Sequence, residues 1–201
     1  FFFKQKTAYE IYQCDWSSDV CSSDLLERHV LRLHYLDTGV EVELELADKA
    51  RRVSAITLDI SQFLARLDWR PSRTIADLPI AYHSACSLQH GQQVRDEPKR
   101  LLASAGFRVM DVPEAHICCG SAGVYNIMQT EIAGRLRARK VANIERMKPR
   151  LIAAGNIGCM TQIGSATPLP LIHTIELLDW ADGGPLPQDL TDRGFSDSDL
   201  R

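Results

Sequence analysis

The 201-residue chain has no apolar run approaching the roughly 20 residues needed to cross a bilayer, so no membrane-spanning helix is expected. It lacks a surplus of basic charge: the formal net charge is −3, which argues against a nucleic-acid binder. A secretory signal is also missing, since the first residues have no charged n-region, apolar h-region or small-residue cleavage site. No Ser/His/Asp arrangement, pair of acid/base carboxylates or phosphate loop stands out, and "GNIGC" is too weak a glycine pattern to indicate a nucleotide. No independent catalytic centre is therefore expected, and no internal repeat is visible. What the chain does have is 45% hydrophobic content, enough for a globular core, and six cysteines.

The first 25 residues, "FFFKQKTAYEIYQCDWSSDVCSSDL", show neither helix nor strand periodicity. They resemble translated sequencing-adapter read-through and are set apart from the fold as a non-native leader. Two cysteines, Cys14 and Cys21, go with them, leaving Cys86, Cys118, Cys119 and Cys159 with 21 basic and 22 acidic side chains. With no secretory signal, clustered cysteines lean towards metal or redox chemistry rather than disulfides.

Residues 26–70 read as a segment preceding the domain. Within it 26–46 fit no element, although "VEVELEL" alternates like an exposed strand. From Ala47 to Leu67 the positions of Ile56, Ile60, Phe63, Leu64 and Leu67 predict an amphipathic helix. Residues 71–187 then show an α/β rhythm. "LPIAYHSAC" reads as a strand, "QVRDEPKRLLASAG" as a helix closed by Gly106, and "FRVMDV" as a second strand. Val124, Met128, Ile132 and Leu136, resumed by Val141, Ile144 and Met147, predict one long helix before Pro149. "RLIAAG" is a third strand, and "PLPLIHTIELLDWA" a fourth running into a helix in which Leu178 and Trp180 belong to the core. The expected fold class is α/β, a parallel sheet with helices packed on it. The Gly-, Pro- and Asp-rich end, 188–201 in particular, is expected to be loose.

On this reading each cysteine follows the C-terminal end of a strand, and in an open parallel sheet those ends share one edge. Four thiols distant in sequence therefore converge. A four-thiolate site suits zinc or an iron-sulfur cluster. Structural zinc usually draws on close C-x₂₋₄-C pairs, whereas here 31 residues separate Cys86 from Cys118 and 39 separate Cys119 from Cys159. Adjacent cysteines reach two corners of a bulky cluster more easily than two vertices of one ion, yet spacing leaves both open. A helix beginning after "CCGSAG" would turn its positive end towards the pair and favour thiolate. Gly120, Gly123, Gly155 and Gly158 would let backbone approach the sulfurs. His83, His90, His116 and His173 lie nearby in sequence, but a lone histidine is more often hydrogen-bonded structure than a ligand, and none is assigned. The basic run "RLRARK" reads as a solvated face before it reads as a docking site.

A single Cys, then "CCG" some thirty residues later, then another Cys after a similar gap, resembles the CCG cysteine-rich domain of heterodisulfide reductase and related iron-sulfur subunits. "YHSACSLQHGQ", "CCGSAGVYNIMQ", "AGNIGCMTQI" and "HTIELLDWADGGP" further resemble the iron-sulfur subunits of glycolate oxidases, from about Lys49 to Pro187. The resemblance implies an electron-transfer subunit holding a [4Fe-4S] cluster through Cys86, Cys118, Cys119 and Cys159. It implies flavin-containing partner subunits that oxidise glycolate to glyoxylate, and a cytoplasmic complex with peripheral membrane association left open. In such subunits a two-cluster ferredoxin part and two CCG repeats are expected, and only the second repeat is present, so the sequence reads as a C-terminal fragment. The general pattern closes with C-x-x-C, whereas this chain has "CMTQ", with Gln162 in the last position. That leaves no fifth thiolate and puts heterodisulfide chemistry in doubt. Zinc-binding structural and thiol-redox modules are the alternatives.

Overall fold

The computed structural model describes residues 55–200 together with Lys49, Arg52 and Val53. The readings of 1–25 and 26–46, including Cys14 and Cys21, lie outside the described residues.

Four strands form one parallel sheet: β1 Pro79–His83, β2 Arg108–Asp111, β3 Leu151–Ala154 and β4 Leu171–His173, in the order β2-β1-β3-β4. Ile80 pairs with Val109 on one side and Leu151 on the other, while Ala154 pairs with His173. The central "LIAA" of β3 is buried throughout, as an apolar run should be when helices cover both faces of a parallel sheet.

Alternation along the strands sorts the core into two layers. Ile80, Tyr82, Leu151 and Ala153 face a layer containing Leu102, Phe107, Leu177 and Trp180. That layer is supplied by α2 (Glu97–Ser104) and α6 (Thr174–Ala181), with Leu64 of α1 (Ile60–Arg66) packed against it. Ala81 and Ile152 point the other way, towards Val141 and Ile144 of α4 (Thr130–Arg146) and Ile163 of α5 (Ile157–Gly164). Cys118, Cys119 and Cys159 belong to this second layer. The expected α/β class and parallel sheet are both present.

Three expectations are corrected. The helix read from Ala47 to Leu67 is interrupted at 57–59, and α1 spans only Ile60–Arg66. The Asp59 carboxylate accepts from Ser61 N–H while the Gln62 side chain accepts from Asp59 N–H, a reciprocal cap that starts a new helix. Leu64 packs against the core, but Ile56, Ile60, Phe63 and Leu67 face outward. The long helix read from Val124 is likewise broken: α3 covers Tyr125–Met128, Gln129 leaves helical geometry at φ −127° and ψ 57°, and α4 begins afresh. Val124 and Met128 are exposed, so the step of four continued across two helices with different buried faces. Finally, the 188–201 end is not loose. α7 (Gln188–Asp192) buries Leu190, Leu200 is also buried, and Trp180 Nε1 donates to Asp197 Oδ1 at 2.7 Å. Two leucines suffice to anchor a polar segment that composition alone marked as free.

Candidate metal centre

The four cysteines are delivered by three pieces of chain, each beyond a strand. After β1 the backbone enters a single π-helical turn, Ser87–Gly91, with Cys86 at its cap position. Gln89 in that turn donates to the carbonyls of Ser84 (3.2 Å) and Ala115 (3.1 Å), tying the β1 loop to the loop that carries the cysteine pair.

The pair itself follows β2 through a loop clamped by α4. Glu114 adopts φ +56°, and its carboxylate receives Arg139 through two nitrogens and Asn143 Nδ2 at 2.8 Å. Arg139 foremost, with Asn143, holds the Glu114 carboxyl down at about 2. Lys140 Nζ donates to the Glu114 carbonyl at 2.8 Å, and Asn143 Nδ2 also reaches the Pro113 carbonyl. Beyond the pair, Gly120 has φ +95°, and a Cβ there would overlap the Ala133 carbonyl oxygen of α4. Its N–H faces Cys118 Sγ at 3.3 Å. Gln162, in the position the general pattern gives to a cysteine, spans this junction: Nε2 lies 3.5 Å from the Ala133 carbonyl and Oε1 accepts from Asn126 Nδ2 at 3.3 Å. It braces the loop.

Cys159 occupies the first turn of α5, where its N–H donates to the Asn156 cap at 3.0 Å. The helix end that favours a thiolate is therefore beside Cys159 and not beside the cysteine pair, because the four-residue α3 offers only a single turn. Close backbone approach holds at Gly120 but not at exposed Gly155, whose Cβ would make ordinary contact with Thr174 at 4.0 Å.

The structure brings all four predicted cysteines together. Their sulfurs interact in the order Cys86, Cys118, Cys119, Cys159, and all four are free thiols. The Cys118 and Cys159 thiols are pulled down, first of all by hydrogen bonds from Cys119. Cys86 and Cys119 are pushed up because they keep the shared protons in buried surroundings. Cys119 is completely inaccessible and Cys118 and Cys159 are buried, while Cys86 is half-buried at the edge of the group.

Two side chains that sequence reasoning did not select join them. Lys140 is 1% exposed; burial pulls its ammonium pKa down, while the charges of Cys86, Cys119, Cys118 and Glu114 act against that. Within "RLRARK" it is the one buried residue, and it stands four before Ile144 and seven after Ala133 on the buried stripe of α4. His83 is also 1% exposed, and one of its ring nitrogens forms a group with the Cys119 and Cys159 sulfurs, all within 4.8 Å of one another. The signal for it was strand alternation: two residues beyond Ala81, His83 faces the layer that holds the cysteines. Of the other histidines, His173 caps α6 by accepting from Ile175 N–H, His116 is exposed, and His90 lies in the π turn.

A converging set of four sulfurs, three buried and that of Cys86 half-buried, beside the buried Lys140 fits an anionic thiolate-bound metal group. Residues 80–164 match the CCG cysteine-rich domain family. The chain is 38% identical over 135 residues to the glycolate oxidase iron-sulfur subunit of Escherichia coli (strain K12), covering 67% of this chain and 33% of that protein. It is 30% identical to the probable glycolate oxidase iron-sulfur subunit of Bacillus subtilis (strain 168), covering 62% and 30%. With lactate utilization protein A of Geobacillus thermodenitrificans (strain NG80-2) it shares 28% identity over 67% of this chain and 59% of the other. The chain thus spans about a third to three-fifths of the length of these relatives. The parallel sheet, the cysteine spacing and these matches make residues 80–164 a CCG cysteine-rich domain, in a chain similar to glycolate oxidase iron-sulfur subunits.

Proposed function

We propose that Cys86, Cys118, Cys119 and Cys159 hold an iron-sulfur cluster, of the [4Fe-4S] type, and that the chain serves as electron-transfer material in a complex that oxidises a 2-hydroxy acid. The observation behind this reading is the convergence of four sulfurs from three separate segments, three of them buried and Cys86 half-buried, at the C-terminal edge of the sheet. A cluster held there would supply one-electron chemistry, with a net charge of about −2 in the oxidised cubane from its ligand count. The chain's own residues hold and surround it. Lys140 places a positive charge next to the sulfurs, Gln162 and Gly120 fix the loop carrying the pair, and the Glu114 clamp keeps that loop on α4.

The names of the relatives support glycolate as the acid, with flavin-containing partner subunits performing the oxidation; the lactate utilization relatives support lactate as the second choice. Zinc is the competing occupant of the same thiolates. Among the described residues no helix is long and apolar enough to cross a membrane.

Anaerobic reconstitution with iron and sulfide should give a brown protein with about four irons per chain and thiolate-to-iron charge-transfer absorption. Cys119→Ser should lose both, since an alkoxide is a harder and more basic ligand than a thiolate. Stoichiometric zinc in a colourless protein that takes up no iron refutes the cluster. For the relay, a complete subunit carrying Cys119→Ser should stop glycolate-dependent reduction of the natural acceptor while the flavin partner still reduces an artificial dye. Full-rate reduction of the natural acceptor refutes it.

A further inference from the structure

We infer that His83 is a nitrogen donor of the metal site, binding through a ring nitrogen an ion held by Cys119 or Cys159; this rests on the reading that those cysteines hold a metal. Three observations converge on it. The side chain is 1% exposed, out of reach of bulk solvent. Its Nε2 is buried with no hydrogen-bond partner among the protein atoms, while the ring as a whole sits close enough to Cys159 to help hold that thiol down. Its ring nitrogen and the two sulfurs lie within 4.8 Å of each other, close enough to share one ion.

The position also makes topological sense. β1 and β3 are neighbours with His83 opposite Ala154, so the last residue of β1 sits where β3 ends and the loop to Cys159 begins. A side chain leaving the sheet there on the cysteine side has the C-terminal edge as its only destination. The general domain pattern carries one cysteine more than this chain, but Gln162 in that place is engaged with Ala133 and Asn126. A nitrogen in a sulfur-ligated iron site raises its reduction potential, as histidine ligation does in other iron-sulfur centres.

The test begins with the unmodified chain, grown with ¹⁵N-histidine, loaded with iron and sulfide, and reduced by one electron. Pulsed EPR should show the strong hyperfine coupling of a nitrogen bound directly to iron, with the isotope shift that assigns it to histidine. His83→Cys should keep the iron and lose that coupling, and His83→Gln should lose the coupling together with some of the iron. If elemental analysis finds zinc instead, the zinc absorption edge should show a mixed nitrogen and sulfur shell that becomes all sulfur in His83→Cys. Iron bound with only the weak coupling of a hydrogen-bonded imidazole, or zinc in an all-sulfur shell, overturns the assignment. Iron without strong coupling leaves the cluster standing and removes His83; zinc with a nitrogen ligand does the reverse. A chain that takes up neither metal overturns both.

Discussion

Replacing Gly120 by alanine tests how the cysteine pair is aimed. At φ +95° an L-residue is strained by about 1–3 kcal/mol whatever its surroundings. The added Cβ also runs into the Ala133 carbonyl oxygen and comes within 3.1 Å of the Ala133 carbonyl carbon and of Gln162 Nε2. Ala133 sits in α4, whose backbone cannot yield locally, so overpacking adds about 1–3 kcal/mol more. The expected loss is about 2–6 kcal/mol, a large part of the 5–15 kcal/mol typical of a domain. The loop can relieve the clash only by moving off α4, which carries the adjoining Cys119 out of the site. Stability should fall in urea denaturation of the metal-free chain, and metal uptake should fall with it. Gly134→Ala is the control: it lies in α4 with nothing within 4 Å of its Cβ, and it should gain about 0.5–1 kcal/mol from helix propensity. A Gly120→Ala chain within about 0.5 kcal/mol of the parent and fully loaded with metal would refute the reasoning.

Two further perturbations test the supports of the site. Glu114 has its carboxyl held down at about 2, mainly by Arg139, so its contribution is complete above the ordinary glutamate value near 4.3 and disappears as pH falls through about 2. Metal-free Glu114→Gln should therefore be less stable than the parent at pH 6 and equal to it near pH 2, and a pH-independent difference contradicts the clamp. Truncation after Pro187 removes Leu190 and Leu200, at about 1.5–3 kcal/mol each, and strips Trp180 Nε1 of its Asp197 partner for about 1–3 kcal/mol more. A thermal unfolding midpoint unchanged by the truncation refutes that account of the tail.

The sheet was legible in the sequence because "PIAYH" and "LIAA" are short apolar runs bounded by turn residues, and the cysteines fell at strand ends as the topology required. The breaks were not legible. At Asp59 a residue that could continue a helix caps a new one, and which happens is decided by whether Ser61 and Gln62 can answer it. At Gln129 the period of four passes through unbroken, and the break shows only in the backbone, which leaves helical geometry at φ −127° and ψ 57°. Lys140 and His83 were passed over because their chemistry said surface and structure, while their positions on a buried stripe and a buried strand face said otherwise. Leu190 shows the same from the other side, as one apolar residue in a polar run outweighed its neighbours.

The order β2-β1-β3-β4 has a consequence for how such a site comes into being. As a chain emerges from its N-terminal side, β1 and β2 can pair first, and by then Cys86, Cys118 and Cys119 are all present. Cys159 follows 40 residues after Cys119, and it reaches the others only once α4 has been laid across the sheet and β3 has seated along the free edge of β1. The nascent half-domain therefore presents an open, three-thiol surface, and the donor that closes it arrives with the strand that completes the core. Insertion of the proposed metal would then be a late event, and a chain that stalls before β3 would lack the fourth of the proposed ligands.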